Sequence, residues 1–175
     1  MLAKEILKLV NLSICDSENT RKLYLKRLKE GRLTRDENPG SHFCIYFLPY
    51  NPENKKVFIV HHKKSDLWLS PGGHIDKGEI LLQTLNREIS EELGVNGFFQ
   101  EIPGPFLLSL TLILRDSRAC KEHYDLWYIV KTDGKEFKVD FTEFFDAKWM
   151  TIEEARKVVI EPANIIALEM IEKMD

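Results

Sequence analysis

Residues 71–95 read PGGHIDKGEILLQTLNREISEELGV and place Glu88, Glu91 and Glu92 within little more than one helical turn. Between Gly78 and Gly94 the apolar residues Leu82, Leu85, Ile89 and Leu93 fall within roughly 80° of one another at about 100° per residue, which predicts a helix with one face on the core. On the same wheel the three glutamates span about 100°, beside the apolar stripe rather than opposite it. They therefore sit at the edge of the core, where repulsion between like charges is less screened. Two readings of these residues stand side by side. One is a solvated acidic face; the other is a site for a hard divalent cation, Mg²⁺ or Mn²⁺, which takes oxygen ligands and commonly binds one or two carboxylates together with substrate phosphate.

Upstream of this segment the pattern is that of strands. HFCIYFLPY (42–50) is aromatic and β-branched, NPEN is a turn and KKVFIVHHK (55–63) completes a hairpin. Downstream, GFFQEI, PFLLSLTLIL and YDLWYIVKT read as further strands, with a polar loop at RDSRACKEH before the last and a turn at DGK after it. A short strand ends at Trp149 and Met150, Thr151 and Glu154 have capping-box spacing, and Pro162 suits the first turn of a final helix. The tally predicts a mixed sheet with one helix inserted mid-chain and one or two at the end, an α/β or α+β sandwich.

Residues 1–38 differ from the rest. Leu2, Ile6, Leu9 and Val10 recur at helical spacing, and after a break at CDSEN the segment TRKLYLKRLKEG ends at Gly31, predicting a helical hairpin. This stretch holds 9 Lys and Arg against 6 Asp and Glu, within a chain of net charge −3. Its basic residues form either the solvated face of a docked extension or a clamp for nucleotide phosphates.

At 175 residues and 43 % hydrophobic, the chain fits one ordinary domain with a small appendage. The charge balance argues against sequence-independent nucleic-acid binding. Cys15, Cys44 and Cys120 are far apart without a C-x-x-C pair, so spacing suggests neither a disulfide framework nor a zinc site. Lys4 and Glu5 interrupt any signal peptide and the apolar run at 106–114 is too short for a bilayer, so a cytoplasmic protein without a membrane partner is expected.

The spacing around the glutamates decides between the two readings. Gly73, five residues, Glu79, seven residues, then Arg87-Glu88-Ile89-Ser90-Glu91-Glu92-Leu93-Gly94-Val95 resembles the Nudix box, G-x5-E-x7-R-E-U-x-E-E-x-G-U with U aliphatic, at every defined position. The resemblance implies a Nudix α/β/α sandwich over residues 39–175, preceded by the helical extension 1–38. It implies a hydrolase that attacks the diphosphate linkage of a nucleoside diphosphate joined to another group, using water activated by divalent cations.

Carried over by position, Glu88, Glu91 and Glu92 are the metal ligands, joined by the carbonyl of Gly72. Arg87 orients the carboxylates, and Glu79 pairs with Arg87 rather than binding metal. Gly94 ends the helix. The family often uses one more acidic residue before a tryptophan-bearing strand; Glu143, six residues before Trp149, fits that place, with Asp146 and Asp140 as competitors.

Gly73 and His74 lie where the diphosphate is expected, and Trp68 is a candidate to stack on the base. His61 and His62 are adjacent on a strand, so they point to opposite faces and cannot share a metal. His123 serves either the substrate or the end of its strand. The proline typical of ADP-ribose hydrolases is absent, Thr111 standing near its place, so the substrate is left as a small nucleotide. The alternatives are an RNA 5′-end pyrophosphohydrolase and a catalytically silent nucleotide-binding module, and the extension could equally serve a homodimer.

Overall fold

A computed structural model describes residues 1–114 and 119–174. Its frame is one mixed sheet built around β1 (Ser41–Asn51), a strand buried along nearly all its length. β1 runs parallel to β6 (Glu122–Lys131) and antiparallel to β2 (Lys56–His62) and β4 (Gly72–His74). β3 (Leu67–Leu69) and β7 (Phe144–Thr151) pair with β2, and β5 (Leu107–Leu112) pairs with β6.

Alternation along β1 sorts its side chains between two cores. Phe43, Ile45 and Phe47 join a cluster with Ile6 of α1 (Leu2–Leu9), Tyr24 of α2 (Glu18–Glu30) and Leu85, Ile89 and Leu93 of α3 (Leu81–Leu93). Leu48 and Tyr50 pack instead with Ala155 of α4 (Ile152–Val158) and with Ala167, Leu168 and Ile171 of α5 (Pro162–Met174). The result is the expected α/β/α sandwich, in which each fully buried leucine or isoleucine on α3 contributes about 2–3 kcal/mol.

Several local expectations have visible causes. Ser17 caps α2 through the Thr20 amide, and Thr151 and Glu154 form a reciprocal capping box at the start of α4. α3 ends at Gly94, whose φ of 69° and ψ of 22° are left-handed. The hairpin between β1 and β2 pairs Tyr50 with Val57 and Asn51 with Lys56.

GFFQEI, however, is not a strand. The amide of Asn86 on α3 takes both backbone groups of Phe99, accepting from its N–H at 2.9 Å and donating to its carbonyl at 2.8 Å. The two phenylalanines pack against the core from a loop, with hydrogen bonding supplied by one side chain in place of a neighbouring strand. The expected loop RDSRACKEH lies partly outside the described residues.

The N-terminal helices dock onto this frame. The Tyr24 hydroxyl lies 2.6 Å from the Asp125 carbonyl and 3.0 Å from that of Ser109, reaching β6 and β5. Arg27 is buried and donates to the carbonyls of Gly31, Arg32 and Ser41, which tethers α2 to the start of β1. Among the described residues no helix is long and apolar enough to cross a membrane.

Candidate active site

Helix α3 carries the three glutamates to the mouth of a cavity of about 490 Å³, lined by Gly72, Gly73, His74, Arg87, Glu88, Glu91, Glu92 and Glu143 among others. Glu88 and Glu92 are buried at the edge of the core as expected, but Glu91 is exposed, because at about 100° per residue it falls roughly 160° from the centre of the apolar stripe. Glu143 reaches the cavity from the residue preceding β7, the tryptophan-bearing strand. Asp140 and Asp146 are instead engaged locally, with Thr142 and with Lys148.

One guanidinium organises the acidic side chains. Arg87 donates from Nε and Nη2 to the two oxygens of Glu79, at 2.8 and 3.0 Å, and from Nη2 to the His74 carbonyl at 2.9 Å. Its Nη1 donates to Glu88 at 2.6 Å and Glu91 at 3.1 Å. Glu79 also accepts from the Thr84 hydroxyl and the Asp76 amide. Burial works to raise the Glu79 pKa, but the hydrogen bonds from Arg87, Thr84 and Asp76 hold it below the usual value. Both oxygens of Glu79 are thus committed, and it anchors Arg87.

Glycine is required by the backbone at Gly72, and by the position of a carboxylate at Gly73. Gly72 has φ 146°, and a methyl there would overlap the Ile45 carbonyl oxygen and lie 2.7 Å from Tyr46 Cα. A methyl on Gly73 would overlap the Glu88 carboxylate. The Gly72 amide donates to Glu92 at 2.7 Å.

Burial drives the electrostatics. It pushes the Glu88 pKa up to about 7, against the pull of Arg87. It raises Glu92 well above the ordinary value, with Glu88 and Glu143 adding repulsion and the Gly72 amide opposing. Burial also depresses His74 to about 2, assisted by His123 and His42. The donor set is anionic oxygen with little compensating protein cation, since Arg87 is shared with Glu79. That is the environment a hard divalent ion fits.

A second cavity, of about 420 Å³ and more apolar, is continuous with the first: Arg35, His62, Lys64, Gly72, Gly73, His74 and Glu92 line both. Tyr46, Val60, Leu69 and Phe144 form much of its wall.

Trp68 is not among the lining residues of either cavity. Alternation along β3 sends Leu69 to the apolar cavity and Trp68 to the other face, where it stacks on His61 with centroids 5.0 Å apart beneath Lys148. His61 and His62 do face opposite ways, and only His62 reaches the cavities. Arg35, Lys63 and Lys64 at the cavity mouth carry no motif spacing. The adjacent basic residues of HHKK were the one sequence signal, whereas Arg35 arrives from the loop after α2.

Comparison with known proteins agrees with this geometry. Residues 40–174 match the NUDIX domain family model. The m7GpppN-mRNA hydrolase NUDT17 of Xenopus laevis is 27 % identical over 143 residues, 67 % of this chain and 48 % of that protein, so the chain spans about half that relative's length. A NUDIX family hydrolase from Clostridium perfringens superposes with a TM-score of 0.58 at 24 % identity, covering 77 % of this chain and 98 % of that one. A C. elegans Ap4A hydrolase gives 0.57 at 18 % identity, covering 75 % and 93 %. With the family model spanning the sheet, the glutamate helix and both C-terminal helices, the chain belongs to the NUDIX domain family.

Proposed function

We propose that the chain is a Mg²⁺- or Mn²⁺-dependent pyrophosphohydrolase that cleaves the diphosphate linkage of a small nucleotide, such as a nucleotide sugar, an ADP-ribose-like compound or a nucleoside triphosphate. The observation that carries this reading is the continuity of an acidic cavity with an apolar one across Gly72, Gly73 and His74. A diphosphate over the first places an attached organic moiety in the second. The apolar cavity is of a size that suits a small ligand.

Glu88, Glu91, Glu92 and the Gly72 carbonyl would hold the metal. When bound, it neutralises the diphosphate, lowers the pKa of water and aligns the attacking oxygen. Arg87 holds Glu88 and Glu91 in place from its anchor on Glu79. Glu143, facing the same cavity without a ligand role in this scheme, accepts the proton of the attacking water. Arg35, Lys63 and Lys64 offer cationic contacts to the outer phosphate oxygens, and His74 borders the diphosphate at the junction.

A second reading has an observation of its own. A relative described as an mRNA cap hydrolase, together with three basic side chains at the cavity mouth, is compatible with an RNA 5′ end as substrate. The test is phosphate release from ADP-ribose, sugar nucleotides, dinucleoside polyphosphates, nucleoside triphosphates and 5′-triphosphate or capped RNA, with Mg²⁺ and with Mn²⁺ and a coupling phosphatase where products need it. Turnover of one small-nucleotide class supports the proposal. Turnover confined to RNA, with KM rising steeply with salt, selects the second reading. Silence throughout, with binding retained, points to a nucleotide-binding module.

A further inference from the structure

Three imidazoles and a thiol converge at the end of the apolar cavity, a group that the hydrolytic scheme does not use beyond His74. His42 comes from β1, His74 from β4, His123 from β6 and Cys120 from the segment just before β6. One ligand atom from each lies within 4.8 Å of those from the others. The rings pack pairwise, with centroids 4.8 Å apart for His42 and His74, 5.0 Å for His42 and His123, and 5.2 Å for His74 and His123. We infer that His42, His74, Cys120 and His123 form a second metal site, which binds Zn²⁺.

The strand register builds the cluster. His42 and His123 are direct partners in the parallel pairing of β1 and β6, while His74 pairs with Cys44, two residues along β1. Cys120 Sγ lies 2.6 Å from His123 Nε2 and 3.4 Å from His42 Nε2.

The tautomer of His42 points the same way. Its Nδ1 lies 3.0 Å from the Asn38 carbonyl, which only accepts, so the proton sits on Nδ1 and the Nε2 lone pair faces Cys120. A ligating histidine whose other nitrogen donates to a carbonyl is the usual outer-shell arrangement in zinc sites.

Beside the cluster lies Asp125, whose Oδ2 accepts from Thr111 and Ser109 while its other oxygen does not share those bonds. A carboxylate oxygen of Asp125 lies within 4.8 Å of ligand atoms of His123 and Cys44, and Asp125 Oδ1 has no hydrogen-bond partner among the described residues. Asp125 is fully buried, and a cation close by would offset that orphaned oxygen.

Nitrogen and sulfur donors favour Zn²⁺ over the Mg²⁺ or Mn²⁺ suited to the glutamates. Bonds of about 2.0–2.1 Å to nitrogen and about 2.3 Å to sulfur set tetrahedral ligand atoms about 3.3–3.6 Å apart. Binding therefore draws in the longer separations and opens the one between Cys120 and His123. Cys120 loses its proton to solvent on ligation. Four protein ligands close the coordination sphere, which gives the ion a structural role: it pins the segment bearing Cys120 against β1, β4 and β6 and fixes the end wall of the apolar cavity. Ligation through one ring nitrogen of His74 leaves the other to the substrate.

The inference does not depend on the hydrolase reading, and metal binding tests it directly. The full chain, stripped with a chelator and reloaded in excess Mg²⁺, should retain one equivalent of Zn²⁺. Co²⁺ in its place should give a near-ultraviolet thiolate charge-transfer band and tetrahedral d–d bands. Cys120→Ser should abolish the charge-transfer band, and His123→Ala should weaken Zn²⁺ binding by about 100-fold or more, since loss even of an outer-shell partner costs about 10–100-fold. Glu91→Gln should leave both signals unchanged. Circular dichroism confirms folding, and Cys120→Ser, at a partly exposed position, carries the test should His123→Ala misfold. Folded wild-type chain that binds Zn²⁺ no tighter than about 1 μM overturns the inference, as does a charge-transfer band that survives Cys120→Ser or disappears with Glu91→Gln.

Discussion

At the scale of single residues, the tension in the site is the burial of Glu88 and Glu92 with only part of one guanidinium to balance them. Glu88 keeps its proton to about pH 7 in the folded chain. An unfolded glutamate releases it near pH 4.3. The folded state therefore binds more protons across that window, and the metal-free protein should lose stability as pH rises from about 4.3 to 7, by up to about 1.4 kcal/mol per pH unit for each proton difference. Urea denaturation in the presence of chelator measures this. Glu92→Gln should flatten the slope, and millimolar Mg²⁺ should raise Tm more at pH 8 than at pH 5; a flat wild-type profile contradicts the burial argument. Gly73→Ala offers a second check, because its methyl displaces the Glu88 carboxylate. Turnover should fall at least tenfold while the fold persists.

The glutamates and Arg87 were legible in the sequence because they share one helix, where spacing translates directly into geometry, and Gly73, on β4, because the motif spacing ties it to that helix. His42, Cys120, His123 and Arg35 were not, because the parallel pairing of β1 with β6 brings together two stretches far apart in the chain, 35–42 and 120–123. Trp68 misled for a related reason: nearness to the box in sequence says nothing about which face of β3 a side chain takes.

Among the elements, the long ones were read correctly and the short ones were not. Helix α3 announces itself by apolar spacing, and strands β1, β2 and β6 by runs of aromatic and β-branched residues. β3 and β4 are three residues each, too short to show a period. GFFQEI has strand composition but gets its hydrogen bonds from Asn86. Asn86→Ala should therefore loosen the loop at Phe98 and Phe99, strip amide-exchange protection from Phe99 and cost about 1–3 kcal/mol through the unpaired backbone groups. Docking of α2 has its own test in Tyr24→Phe. Loss of the hydroxyl that reaches the Asp125 carbonyl should destabilise the chain by about 1 kcal/mol without altering metal binding. An unchanged denaturation midpoint would mean that this hydrogen bond does not hold α2 to the sheet.

For the molecule as a whole, the sandwich sets two chemistries side by side: hard oxygen donors on α3, and a nitrogen and sulfur cluster across β1, β4 and β6. The basic character of residues 1–38 is divided in use. Arg27 is consumed in tethering α2, while Arg35 reaches the rim of both cavities. The net charge gave no hint of this division, since it averages over residues with opposite fates.

The most direct measurement is turnover of the best substrate by wild type and Glu92→Gln, side by side, with Mg²⁺ and with chelator. The expected result is metal-dependent hydrolysis by wild type and a loss on the order of a hundredfold or more in the variant, equivalent to a few kcal/mol of transition-state stabilisation, at an unchanged or higher melting temperature. Comparable turnover by both proteins, or hydrolysis indifferent to chelator, would contradict the assignment of the glutamate cavity as a metal-dependent active site.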